Sequence, residues 1–351
     1  MAGPSKNPPP DPPGSAAPPG SAARAPIGIS LGDPTGIGPE IVVRALAARP
    51  GVAVRIFGDQ AVLASTAAQL GLPTPAATAV RDAPAVTFVP GRPTLDSGRA
   101  QLAYLRAATA MALSGGISAL CTAPISKDWM ARAGFAFPGH TEYLAAEARV
   151  DDFAMMLAGP RLRVVLATTH VALRDVARVL TPRDITRATV LAARALIDDF
   201  GIGRPRIAVS GLNPHAGESG RFGDEEARIV APAVQRARAE LEALQLPAVV
   251  SGPFPPDAVF RQAAIGAFDA VIALYHDQGL IPVKLLHFDE AVNVTLGLPF
   301  VRTSPDHGTA YAIAGSGRAD PGSFLAALDL ATHLVARRSR TTVSPRQSAQ
   351  P

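Results

Sequence analysis

At 351 residues the chain is long enough for two domains or one large α/β unit. Its single cysteine, Cys121, excludes a disulfide framework, so a cytoplasmic location is expected. No apolar run approaches the roughly 20 residues of a membrane span, and a formal charge of +4, not gathered with aromatics on one element, argues against nucleic acid as a partner.

Residues 1–26 are dominated by Pro, Gly, Ala and Ser without an apolar signal core, which predicts a disordered tail. The first strand, 27–31, breaks into a glycine-rich turn at 32–40, followed by a helix over 40–48. A strand at 52–57, a helix from Gln60, a short strand at 85–89, a helix over 97–113 and a strand at 119–124 come next. From Gly139 the alternation repeats. Helix 141–149 precedes strands at 153–157 and 163–168, and helix 182–200 precedes strand 206–210. Helix 223–243, strand 247–250, helix 256–265 and strand 269–275 complete that part. From Phe288 a loop-rich region leads to a last helix, 322–336, and the arginine-bearing stretch 337–351 reads as a second disordered tail. Alternating strands and helices predict a mostly parallel sheet covered on both faces, arranged as two lobes with a cleft between them.

Three apolar strands end in histidine: 163–170, 206–215 and 269–276. One histidine at a strand end is usually a hydrogen-bonded structural residue. Three of the chain's seven in one topological position form a candidate metal site of His170, His215 and His276, because polar groups at carboxyl ends of parallel strands sit at the ligand crevice. Three neutral ligands would leave a divalent ion its full charge and open coordination positions.

Other segments carry anion chemistry. The 32–40 turn (GDPTGIGPE) lacks both the dinucleotide and the P-loop spacing, so it is either an anion cradle or simply a tight strand-to-helix turn. His140 and Thr141 open a helix, where free N–H groups favour a phosphate, although Thr141 could be only a helix cap. Lys284, Asn293 and Arg302 lie in apolar surroundings after the His276 strand. They either bind a phosphate or pair with Asp277, Asp289 or Glu290. The polar, glycine-rich loop 304–320 is too long to be a mere connection and is expected to wrap a ligand.

Taken together, GDPTGIGPE (32–40), TAPISK (122–127), PGHTE (138–142), NPHAGE (213–218), GPFPPD (252–257) and YHDQG (275–279) resemble the 4-hydroxythreonine-4-phosphate dehydrogenase family of vitamin B6 biosynthesis. The resemblance spans residue 27 to about 324. It implies the two-lobed fold of isocitrate and isopropylmalate dehydrogenases: a cofactor-side lobe of 27–138 plus 300–336, and a metal, substrate and dimerisation lobe of 139–299. The implied metal ligands are His170, His215 and His276, shared between the subunits of a homodimer, with Zn, Mg or Co as the ion. Substrate contacts fall on His140, Thr141, Lys284, Asn293 and Arg302. The loop bearing His307, Gly308, Thr309, Ala310 and Asp320 resembles the adenine-binding loop of those dehydrogenases. NAD is the implied cofactor, although Ala312 after Tyr311 departs from the aspartate of related loops and leaves NADP open.

The implied reaction is oxidation of 4-phosphooxy-L-threonine at its C3 hydroxyl, with Asp257, Asp277 and Lys284 as candidate proton acceptors. Two alternatives stand beside it. One is the same chemistry on a phosphorylated sugar acid such as 4-phosphoerythronate or 4-phosphothreonate. The other is a three-histidine metal lyase, which the 307–320 loop disfavours because a lyase needs no adenine cradle.

Overall fold

The computed structural model describes residues 25–343, with side chains to Arg338; the expected tail over residues 1–24 and the stretch 344–351 lie outside the described residues. The chain begins β1 (Ile27–Ser30), α1 (Gly38–Ala48), β2 (Val54–Phe57), α2 (Gln60–Leu70), β3 (Ala77–Thr78), α3 (Leu95–Leu113), β4 (Ala119–Thr122) and α4 (Lys127–Arg132). It continues with α5 (His140–Glu147), β5 (Ala154–Ala158), β6 (Arg163–Leu166), α6 (Leu173–Val179), α7 (Pro182–Asp198), β7 (Arg206–Ser210), α8 (Ala231–Ala243), β8 (Val249–Phe254) and α9 (Pro256–Ala264). Last come β9 (Ala270–Ala273), α10 (His276–His287), β10 (Val292–Leu296), β11 (Val301–Pro305) and α11 (Gly322–Val343).

All strands join one 11-stranded sheet in the order β3-β2-β1-β4-β11-β10-β5-β6-β9-β7-β8. The α/β class expected from the sequence is the class found. Strands β3, β2, β1, β4 and β11 form one parallel block, and β6, β9, β7 and β8 form another. Between them, β10 is antiparallel to both neighbours and β5 is antiparallel to β6. The chain direction therefore inverts across the middle of the sheet, and the carboxyl ends of the two blocks face opposite edges. Ligand crevices form where strand direction or order changes.

Local chemistry explains the elements. β1, β4 and β9 are four-residue runs with every residue buried, as strands covered by helices on both faces must be. α7 starts on a capping box, with Thr181 Oγ1 accepting from Asp184 N–H and the Asp184 carboxylate accepting from Thr181 N–H. The bend after β1 demands glycine: Gly32 has φ +70°, and a Cβ there would sit 2.2 Å from the Pro124 carbonyl oxygen.

Some expectations need correction. Residues 85–89 form no strand. Pro84 and Pro90 bracket them, Val86 and Val89 are exposed, and the edge strand pairing with β2 is β3 instead. The last helix does not stop at 336 but runs to Val343, so 337–343 is not a disordered tail; Arg338 donates to both carboxylate oxygens of Asp199. The region after Phe288 is not simply loop-rich, since it contributes the two central strands β10 and β11.

Candidate active site

A cavity of about 530 Å³ opens over the strands where the sheet inverts. Its floor is Arg302, the second residue of β11 and 2% exposed. The guanidinium donates from Nη1 to Thr295 Oγ1 at 3.1 Å and from Nη2 to Thr122 Oγ1 at 2.8 Å. Its Nε donates to nothing. Burial pushes the Arg302 pKa down to about 10, partly offset by Cys121 and Glu142, so it stays cationic at neutral pH. A buried charge held only by hydroxyls calls for an anion.

Around Arg302 stand the other residues expected to bind substrate, for His140, Thr141, Lys284 and Asn293 all line this cavity. α5 begins here with Gly139 as its N-cap and no side-chain cap, so Thr141 is not the cap; its hydroxyl lies 3.5 Å from Thr295 Oγ1. The first-turn N–H groups have no acceptor within the helix, and its dipole adds positive potential. Asn293 Oδ1 and His140 Nε2 are buried without partners. Lys284 Nζ, on α10, lies 3.1 Å from Asp306 Oδ2, so its partner is Asp306 rather than Asp277, Asp289 or Glu290.

Burial first, then the charges of Arg302 and Lys127, hold the His140 pKa well below its ordinary value. The ring is therefore neutral at physiological pH. As pH falls through about 6.5 the unfolded chain takes up this proton before the folded one, so the group costs stability below that pH. One such ring gives a slope of at most about 1.4 kcal/mol per pH unit. His140→Gln is expected to flatten the fall in Tm between about pH 6.5 and 5. An unchanged slope in the variant would mean that His140 titrates freely.

At the far side of the cavity, His170 follows β6 and His276 opens α10, their ring centroids 5.7 Å apart. Asp277 Oδ1 lies 2.7 Å from His276 Nδ1. A carboxylate there accepts a hydrogen bond from Nδ1–H and leaves the Nε2 lone pair free, the tautomer a metal ligand needs. Partial desolvation of the exposed His170 ring, with Lys127 and His276 as further causes, lowers its pKa, which also favours a neutral ring. These two residues fit a divalent ion. His215 follows β7, the other sheet neighbour of β9, on a turn whose residues 215–219 all have positive φ. Its ring packs against Phe222 and does not reach the cavity. Among the described residues, no three His, Cys, Asp or Glu side chains of this one chain converge to hold an ion.

The remaining candidates divide. His307 and Gly308 line the cavity, while Asp257 and Asp277 line a second depression on the outer side of α10, beside Ile265, Ile281 and Leu285. Thr309, Ala310 and the residues after them lie over the β1–α1 turn. Ile37 N–H donates to the Thr309 carbonyl at 3.0 Å, Tyr311 Oη donates to Asp33 Oδ2 at 2.6 Å, and Gly315 N–H donates to Glu40 Oε1 at 2.5 Å. The GDPTGIGPE turn is wholly buried beneath this loop, which favours its reading as a tight turn that fastens the loop. Asp320 Oδ1 accepts from Gly322 N–H at the start of α11. Sequence reasoning missed Lys127, Glu142 and Asp306, which all line the cavity. The available signal for Lys127 was a cation five residues after the end of the buried strand β4, at the start of the next helix.

Residues 50–331 match the family described as "Pyridoxal phosphate biosynthetic protein PdxA". The protein of Desulfosudis oleivorans named 4-hydroxythreonine-4-phosphate dehydrogenase is 49% identical over 327 residues, 87% of this chain and 94% of that one. A crystal structure of 4-hydroxythreonine-4-phosphate dehydrogenase from Klebsiella pneumoniae superposes with a TM-score of 0.78 at 42% identity, over 89% of this chain and 99% of that one. A terephthalate 1,2-cis-dihydrodiol dehydrogenase from Burkholderia xenovorans superposes with a TM-score of 0.64 at 34% identity, over 88% and 98%. With most of the chain matched, and at identities this high, the chain belongs to the PdxA family of pyridoxal phosphate biosynthetic proteins.

Proposed function

We propose that the chain catalyses the NAD(P)- and divalent-metal-dependent oxidation of 4-phosphooxy-L-threonine to 2-amino-3-oxo-4-phosphooxybutanoate, which decarboxylates to 3-amino-2-oxopropyl phosphate on the route to pyridoxal 5'-phosphate. The observation that carries this reading is the buried Arg302 cation, its Nε unpartnered, sharing one cavity with the partnerless Asn293 Oδ1 and His140 Nε2 and with the His170–His276 pair. A phosphate supplies acceptors for Arg302 Nε, for the α5 first-turn amides and for the one N–H of neutral His140. Lys284 lines the same cavity, 3.1 Å from Asp306 Oδ2. Anchoring the phosphate there places the substrate's other end, with its hydroxyl, toward the histidines, and remote binding energy of this kind positions the reacting carbon.

His170 and His276, with His215 supplied by a second copy, would hold the ion (Zn²⁺, Mg²⁺ or Co²⁺), whose chemistry when bound is to polarise the substrate's oxygen as a Lewis acid. NAD or NADP would lie with its adenosine end along residues 307–320, which Asp33 and Glu40 hold in place, and would accept the hydride. Of the three candidate proton acceptors, Lys284 is the one lining the cavity of its own chain, and we assign it the hydroxyl proton. The oxidised product is a β-keto acid, so loss of CO₂ follows readily.

A homodimer accounts for two observations. His215 stands apart from the other two histidines, α10 turns Ile281 and Leu285 outward at 65% and 83% exposure, and Phe288 at its C-cap is 74% exposed. We assign residues 27–138 plus 300–336 to a cofactor-side lobe and 139–299 to the metal and dimerisation lobe. Among the described residues, no helix is long and apolar enough to cross a membrane, and a cytoplasmic reaction fits the single buried Cys121.

The test is kcat/KM with NAD⁺ on 4-phosphooxy-L-threonine, 4-phosphoerythronate and 4-phosphothreonate. We expect the amino acid to be preferred. Equal or faster turnover of a phospho-aldonate would replace the vitamin B6 assignment with the sugar-acid reading, since the partnerless Arg302 Nε and His140 Nε2 address the phosphate that these substrates share. Failure to bind either nicotinamide cofactor would instead revive a metal lyase.

A further inference from the structure

The three histidines sit on adjacent strand ends, yet each belongs to a different segment, and strand ends fray unless something ties them. One buried chain of hydrogen bonds runs beneath all three. Thr168 Oγ1, two residues before His170, donates to the Leu274 carbonyl at 2.7 Å. Leu274 N–H, two residues before His276, donates to Gln278 Oε1 at 2.7 Å. Gln278 Nε2 then donates to the Gly211 carbonyl at 2.8 Å, at the root of the His215 turn. Beyond it, Glu226 Oε1 accepts from Leu212 N–H and Asn213 N–H at 2.7 Å each. Thr168, Leu274, Gln278 and Gly211 are all buried, so each bond is made away from water and an unmade one is costly.

We propose that Gln278 is a positioning residue that fixes the His215 turn, which would serve the second copy's site, relative to the His170–His276 pair of its own chain, an inference that rests on the reading of those histidines as metal ligands. Only an amide suits the place. The oxygen must accept from Leu274 N–H while the nitrogen donates to the Gly211 carbonyl, so the orientation is fixed by chemistry. A carboxylate satisfies the first contact but sets an oxygen against the Gly211 carbonyl, and a thioether satisfies neither. The His215 turn makes the tie important. His215, Ala216, Glu218 and Ser219 all hold φ between 41° and 58°, a conformation costing roughly 1–2 kcal/mol per non-glycine residue, so the turn persists only where its surroundings impose it.

The test is Co²⁺ binding to the full-length protein by calorimetry, with the visible absorption of bound cobalt reporting its ligand geometry. We expect Gln278→Glu to weaken Co²⁺ about 10- to 100-fold, the usual cost of losing a group that orients metal ligands, and to alter the cobalt spectrum. Affinity for inorganic phosphate at Arg302 should stay unchanged. Thr168→Val, which keeps the side-chain shape and removes the bond at the other end, should weaken Co²⁺ in the same direction and serves if Gln278→Glu does not fold. His276→Ala runs in parallel. If His276→Ala loses Co²⁺ while a folded Gln278→Glu or Thr168→Val binds it as the unmodified protein does, with only Tm lowered, Gln278 is core packing and the proposal fails alone. If His276→Ala binds Co²⁺ normally, the metal reading fails and takes the proposal with it.

Discussion

His276→Ala and His170→Ala are each expected to abolish turnover while leaving the fold intact. A Lewis acid at the reacting oxygen contributes several kcal/mol of transition-state stabilisation, so its loss lowers kcat by on the order of 10³-fold or more. Fold and function separate here because of where the side chains sit. His170 is exposed, and His276 keeps a third of its side chain accessible and bonds only to its exposed neighbour Asp277. Neither fills the core, so Tm should move by no more than the equivalent of about 0.5 kcal/mol, the range of surface substitutions. Kinetics with each divalent ion in turn, read beside thermal melts, checks both halves. Most of the activity surviving in either variant would contradict the metal assignment.

Arg302→Ala should raise the KM for the phosphorylated substrate about 10- to 100-fold, the worth of one charge-assisted contact at roughly 1.5–3 kcal/mol. The KM for NAD⁺ should hold. Stability will fall as well, because Thr122 Oγ1 and Thr295 Oγ1 lose the guanidinium that bonds them. Arg302→Lys separates the two effects. It keeps a cation for the phosphate but loses the fork that spans both hydroxyls, so it should recover part of the affinity and little of the stability. Arg302→Ala with an unchanged substrate KM and a lowered Tm would make the arginine structural and move the phosphate site elsewhere.

The sequence spoke most clearly where local physics is strongest. β1, β4, β7 and β9 are buried on both faces and read as apolar runs, and the bounds expected for β7 are those observed. Strands β10 and β11 escaped because they carry the site. Asn293, Arg302 and Ser304 face the cavity and interrupt the apolar pattern by which a strand is recognised, so functional residues hid their own elements. α10 escaped because Pro282 lies within it, and a proline is read as a break. Lys284, Asn293 and Arg302 were legible as polar groups stranded in apolar context and His140 and Thr141 as the opening of a helix, and one cavity is lined by all five. Long-range geometry was not legible. Only the strand order β6-β9-β7 reveals that the three histidines share one sheet edge, and only the coordinates reveal that His215 stands apart from the other two.

The most direct test of the account is the appearance of reduced nicotinamide when purified protein meets 4-phosphooxy-L-threonine, measured in parallel after chelation and after a divalent ion is restored. The account predicts steady reduction that stops on chelation and returns with the ion. No reduction under any condition, or reduction indifferent to the chelator, would contradict it.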